Sequence, residues 1–288
     1  MVTKLSRLTS FVKNLIMLWG NIRKMKTQLT FPVTYHLPLF DILDPGEELH
    51  MNELIGKNIR IIHEGDIHCV VKGKKIKKAF GEGMSYDAFV TSPLATESII
   101  RPELSRIHEG IALRDKEWEE KYHNQPHYVY LSLTSGIKVG VTRDVNVPFR
   151  WIDQGAVEAI LLATTPYRQL AGLIEVELKQ HVSDRTNWRN MLRNVFVNEE
   201  SLAEKKDDLL EELPEEYYDF VSDDDTITKI EFPVLQYPEK VKSMKLDTTP
   251  LIEKKLMGIK GQYLIFDDNT VMNLRSHAGY RIGIEAVD

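Results

Sequence analysis

The residues whose types and spacing suit chemistry begin in the stretch 127–142, HYVYLSLTSGIKVGVT. Strand alternation there puts Tyr128, Tyr130 and Ser132 on one face with Lys138, Gly140 and Thr142. Two phenols, an amine and a bare glycine would suit a surface that handles phosphate, because a glycine inside a strand often marks close approach by a ligand. The same face also reads as ordinary aromatic cross-strand pairing, which stabilises a sheet without any ligand. Downstream, TRDVNVPFRWIDQGA supplies Arg143, Arg150, Trp151, Asp153 and Gln154 in one loop-like segment. Guanidinium forks grip phosphate oxygens and aromatic faces stack on bases, so this segment points to nucleic acid. Equally, Arg150 would pair with Asp153 and Trp151 would plug the core. The segment HVSDRTNWR adds Asp184, Asn187 and Arg189, although an Asp or Ser ahead of TNW is also a plain helix N-cap. His63, His68, His108 and His181 have no ligand-like spacing.

These groups need elements to position them. The turn dipeptide Ser135-Gly136 joins two alternating runs into a β-hairpin whose other face, Val129, Leu131, Leu133, Ile137, Val139 and Val141, must go to a core. Residues 167–181 follow the helical period, with Leu170, Leu173, Ile174, Leu178 and His181 on one stripe. Glu175 falls at its edge, where a carboxylate faces a shallow cleft without burial. For one site to form, this helix must lie against the tyrosine-and-lysine side of the hairpin. A second helix starts near Asp184 and another covers 111–122.

Turn-punctuated apolar runs between 27 and 79, and again from 228 to 288, are the signature of strands in a meander or small barrel. Each set is too short for a stable core alone, so the two are expected to pack as one barrel-like unit. The chain therefore divides into a basic amphipathic segment 1–26, a β-rich region 27–125, a module 126–197, an acidic helical linker 198–226 and a β-rich region 227–288. The first segment, with Leu5, Leu8, Val12, Leu15 and Ile16 at helical spacing, reads as a docked surface helix, a membrane-interface helix or a presequence.

Charge is unevenly spread. Residues 199–225 hold thirteen Asp or Glu against Lys205 and Lys206, a balance of −11, so the rest of this −6 chain is +5. A repulsive field for phosphate is therefore confined to one segment. That acidic segment, predicted to be a solvated helix ending at Pro214, alternatively suits a protein-interaction role. Cys69 is the only cysteine, which excludes an intramolecular disulfide and fits a reducing cytoplasm. No apolar run reaches the roughly 20 residues of a spanning helix, so no stable membrane insertion is expected.

The order YVY, GIKVGVT, an arginine and a helix bearing E-x-x-L resembles the GIY-YIG nuclease superfamily, in particular the branch whose second motif reads KIG. Tyr130 matches the tyrosine of the first motif, Lys138 to Gly140 the second motif, Arg150 the arginine, with Arg143 as the alternative, and Glu175 the glutamate. The resemblance implies an α+β fold with a three-stranded antiparallel sheet flanked by helices. It also implies phosphodiester hydrolysis, with Tyr130 orienting the attacking water, Arg150 stabilising phosphate charge and Glu175 holding one magnesium or manganese ion. Lys138 stands where the second tyrosine is usual, so a binding module without the chemistry is the alternative on the same scaffold.

Across most of its length, through WGNIRKM, PVTYHLPL, RWIDQGA, DRTNW and GIKGQYLIF, the chain also resembles an uncharacterised bacterial family of unknown function. That resemblance implies zinc-type cysteines where Lys72, Ser85, Ala88, Ser98 and Ser105 stand. Zinc is accordingly not expected, and the stretch 69–108 should be held by packing alone.

Overall fold

The structure is a computed structural model and describes residues 17–197 and 200–287. The amphipathic pattern between Leu5 and Ile16 lies outside the described residues. The part of the basic segment that is described is not helical. It forms β1 (Leu18–Ile22) and leads into β2 (Lys26–Gln28). The chain continues through β3 (Thr34–Asp41), β4 (Asp44–His50), β5 (Asn58–His68) and β6 (Lys75–Ile76). Helices α1 (Tyr86–Thr91) and α2 (Lys116–His123) follow. Next come β7 (His127–Leu133), β8 (Ile137–Arg143), α3 (Phe149–Asp153) and β9 (Glu158–Thr165). Then come α4 (Arg168–Leu178), α5 (Trp188–Arg193), α6 (Leu202–Glu211) and β10 (Thr228–Lys229). The end of the chain forms β11 (Lys242–Ser243), β12 (Leu251–Lys260), β13 (Tyr263–Phe266), β14 (Thr270–Asn273) and β15 (Tyr280–Val287).

The fold is α+β. One curled sheet, barrel-like but open among the described residues, with β11 and β2 at its two ends, interleaves both ends of the chain: β15 lies between β1 and β5, and β5 pairs in turn with β12. Alternation along these strands explains the arrangement. Ile59 and Ile61 of β5, Ile252 of β12 and Ile282 and Ile284 of β15 all point into one core, so neither terminal segment buries its apolar face without the other. The second sheet runs β10-β9-β7-β8, antiparallel throughout, with β8 at its edge. The hairpin register is the one that alternation predicts: Tyr130 opposes Gly140 and Ser132 opposes Lys138.

Several expectations need correction. Residues 149–153 form a short helix, α3, rather than loop, and it directs Trp151 and Ile152 into the barrel core. Helix α2 begins at Lys116, not 111, because Asp115 caps it by accepting from the Trp118 N–H. Helix α5 is capped by Asn187, whose side chain accepts from the backbone of Arg189 and Asn190, not by Ser183 or Asp184. The acidic helix is not a free linker. Leu202, Leu209 and Leu213 enter the same core as the hairpin, and the buried Lys206 ammonium donates to the Ser222 carbonyl at 2.8 Å and to Asp225 at 2.7 Å.

The stretch around Cys69 is also held by more than packing. Its sulfur accepts from the backbone N–H of Lys72 and of Ser85 and from the Ser85 hydroxyl, and Ala88 packs in the same cluster. Lys72 and Lys74 both bridge to Asp87 at 2.7 Å. Ser98 and Ser105 lie apart from this cluster, bonded to Thr96 and His123 respectively.

Candidate functional site: a polar corner and a basic cavity

Gly140 is where the corner is built. A methyl group there would lie 2.7 Å from the Tyr130 hydroxyl, so the missing side chain is the slot through which the phenol crosses β8. The ring is fully buried and meets Trp151 edge-on with centroids 5.9 Å apart. Its hydroxyl donates to Gln154 Oε1 at 3.1 Å. Burial raises the phenol's pKa, against the pull of the Arg150 guanidinium beside it. Lys138, also buried, is pushed down to about 8 by loss of solvent and by the charge of Arg150, while Glu175 and Asp184 oppose the shift.

Glu175 reaches this corner by a different route from the one expected. Helix α4 packs Leu170, Ala171, Ile174 and Leu178 into the core with Val129, Leu131 and Val139, on the apolar face of the hairpin. Leu173 and His181, assigned to that stripe by spacing, are exposed. The tyrosine face of the hairpin meets the barrel instead, since Tyr130 shares a core with Trp151, Ile152 and Ala156. Because β8 is the edge strand, the flank of α4 that carries Glu175 lies next to it. The carboxylate acts electrostatically on both Tyr130 and Lys138. Only 7% of Glu175 is exposed, so it is buried and not at a shallow cleft, and burial holds its pKa above the usual carboxylate value. Lys179 opposes that shift, sitting 3.2 Å from Glu175 and 3.5 Å from Asp184.

The donor set is a poor fit for the divalent metal the resemblance implies. An ammonium already lies between the two nearest carboxylates, and Lys138 adds a second cation to the same neighbourhood. Among the described residues no group of three or more His, Cys, Asp or Glu gathers elsewhere. Glu175 and Asp184 would have to release Lys179 to hold magnesium or manganese.

Beside the corner, at the edge of β8, a cavity of about 760 Å³ separates the barrel from the small sheet. Arg143, Arg150 and Arg168 line it from one side and Arg23, Lys26 and Arg275 from the other. Lys26 pairs with Glu48 and Arg275 with Glu82, whereas the first three have no carboxylate partner among the described residues. Arg143 lies over the Tyr122 ring at 4.9 Å. Arg168 spends Nε and Nη2 on the carbonyls of Ser98 and Ile99, and burial together with its arginine neighbours pushes it down to about 10, against the pull of the Glu175 and Glu103 carboxylates.

Of the residues singled out in the sequence, Tyr130, Lys138, Arg150, Gln154 and Glu175 come together. Tyr128 stays half-buried, paired with Thr142 and Thr164. Trp151 is core, and Asp153 pairs with Lys24 and Gln262 rather than with Arg150. Asn187 and the exposed Arg189, stacked on Trp188 at 4.4 Å, belong to the α5 end and do not line this cavity. Sequence reasoning missed His123 and Arg168. Arg168 carried a signal, because a cation in the first turn of a helix opposes the macrodipole and needs another reason to be there.

A family model described as "Protein of unknown function (DUF2797)" matches residues 56–282, and the chain belongs to that family. No curated protein and no solved structure matches the chain. No helix of the described residues is long and apolar enough to cross a membrane.

Proposed function

We propose that this protein binds nucleic acid through its phosphates, on a GIY-YIG-like core, at the corner on the edge of β8 and in the basic cavity beside it. The convergence of Arg143, Arg150 and Arg168 on one cavity, none of them in an ion pair with a carboxylate among the described residues, carries this reading. Guanidiniums held together at low exposure repel one another, and an anion with several acceptor oxygens relieves that repulsion through charge-assisted hydrogen bonds. The described acidic residues between 200 and 225 do not line the cavity. A reducing cytoplasm as the place of action fits a chain with one cysteine.

Titration with single-stranded, duplex and branched oligonucleotides at two salt concentrations tests the reading. Affinity should fall steeply with salt, by a log–log slope of about −0.7 to −0.9 per phosphate neutralised. Arg150→Ala should reduce the slope by about 1. An affinity indifferent to salt and to Arg150→Ala would sink the proposal and favour a protein-interaction role for the acidic helix.

Phosphodiester hydrolysis at the same corner is the second reading, favoured by the electrostatic reach of both Arg150 and Glu175 to the Tyr130 phenol. Here Tyr130 would orient water and Arg150 would meet phosphate charge. Incubation of each substrate with magnesium or manganese separates the two readings. Cleavage abolished by Glu175→Ala and Tyr130→Phe supports hydrolysis, and bound but intact substrate under both metals leaves a binding module.

A further inference from the structure

The inner wall of the cavity holds a group that general attraction for phosphate does not explain. His123, at the end of α2, is 2% exposed and lines the cavity. Its Nδ1 lies 3.1 Å from the Ser105 hydroxyl, and its Nε2 is buried with no hydrogen-bond partner among the described residues. Burial and the charges of Arg168 and Arg143 push the ring down to about 3, so near neutral pH it is uncharged and carries one N–H. In the tautomer in which Ser105 donates to Nδ1, that N–H is on Nε2, on a ring that meets Trp118 edge-to-face with centroids 5.2 Å apart. A buried donor without an acceptor bears its full desolvation cost unless a ligand supplies one.

The surroundings define that ligand. Three arginines without an ion-paired carboxylate, beside a neutral ring nitrogen without a hydrogen-bond partner, both among the described residues, call for an anion with several acceptor oxygens. Trp118 and Tyr122 pack at 4.7 Å between centroids and both line the cavity; Arg143 lies over the Tyr122 ring, so Trp118 is the aromatic surface offered to a flat ligand. The 760 Å³ volume falls within the roughly 300–1,000 Å³ of small-ligand pockets, the scale of one nucleotide and not of a duplex.

The geometry points to a pocket for a single phosphorylated nucleotide unit. Its phosphate is held by Arg143, Arg150, Arg168 and His123 Nε2, and its base lies against Trp118. This deepens the nucleic-acid reading and rests on it for the source of the unit, an unpaired residue of a strand. A free mononucleotide presents the same chemistry.

Fluorescence anisotropy of a labelled single-stranded oligonucleotide, competed by adenosine monophosphate, adenosine or inorganic phosphate, tests the assignment on the full chain. The monophosphate should displace the strand and adenosine should not. Trp118→Ala should weaken the monophosphate about tenfold while leaving inorganic phosphate unchanged, in line with the loss of one stacking platform. His123→Phe should weaken the monophosphate and inorganic phosphate alike. If that variant fails to fold, Arg143→Ala, at a half-exposed position, reads the same phosphate end. Lys254→Ala, which does not line the cavity, is the charge control. A strand that the monophosphate cannot displace, with Trp118→Ala and Arg143→Ala both unaffected, overturns the pocket and leaves the nucleic-acid reading standing. Monophosphate binding with no strand binding keeps the pocket and removes that reading, and binding of neither overturns both.

Discussion

Lys138 in the small sheet and Lys260 at the end of β12 are both buried lysines, yet their surroundings have little in common. Lys260 is fully buried in an aromatic cage of Phe232, Tyr237 and Phe196 at 5.3, 5.4 and 5.7 Å, with Nζ donating to Asn194 Oδ1 at 2.8 Å. Loss of solvent alone pushes it down to about 7. Lys138 is pushed down to about 8, again first by loss of solvent, but with Arg150 adding to the shift and Glu175 and Asp184 opposing it. One lysine ties α5 to the barrel through a closed, neutralising niche. The other belongs to a charged neighbourhood that continues, through Arg150, into a cavity. Burial of an amine is therefore no mark of a site, and what distinguishes the corner is that its charges lead to open space.

The comparison breaks first at Lys260. Replacing it by Met removes the cost of neutralising an amine and should stabilise the protein at pH 7 by on the order of 1–4 kcal/mol, measured by urea unfolding. Lys138→Met should gain less, since it strips Glu175 of a compensating cation. The pH dependence sharpens the contrast. Both lysines fall below their ordinary value of 10.5, so between the two values the unfolded chain binds more protons than the folded one. Stability should then rise from about pH 7 to 10.5, and the Lys260→Met variant should lose the earliest part of that rise.

At the corner, Gly140→Ala should cost about 1–3 kcal/mol, because its methyl displaces the Tyr130 phenol and breaks the contact with Gln154. No change in its unfolding midpoint would show that the slot is not needed. For nucleic-acid affinity, Arg150→Ala should lose about tenfold, roughly 1.4 kcal/mol, and Lys260→Met nothing. Equal losses in both variants would erase the distinction between the two lysine neighbourhoods. The smallest effect concerns His127, pushed down to about 3 mainly by burial. Between pH 3 and 6.5 the unfolded state holds the extra proton, so stability should fall as pH drops below 6.5. His127→Asn should flatten that slope modestly in pH-dependent unfolding.

Most of the hairpin was legible because its information is local. Alternation fixes faces, a Ser-Gly turn fixes register, and Gly140 opposite Tyr130 follows from both. The helical stripe of α4 was legible only in part. Spacing could not tell that Leu173 faces solvent while Glu175 is buried, because the neighbours that cover one flank, Pro102 and Glu103, come from seventy residues away. The fate of Arg150 was undecidable locally. Asp153, its nearest candidate partner in sequence, is taken by Lys24 and Gln262 from the two ends of the barrel.

The sequence by itself determined the hairpin with its polar and apolar faces and the need for both chain ends to share a core, since each depends on periodicity and composition, and its motif order carried the α+β class through resemblance. Tertiary structure alone decided that Glu175 comes round an edge strand, that Trp151 is core, and that His123, Arg143, Arg150 and Arg168 converge. Those outcomes depend on which distant segments pack together and on which polar atoms that packing leaves without partners, and no local pattern encodes either.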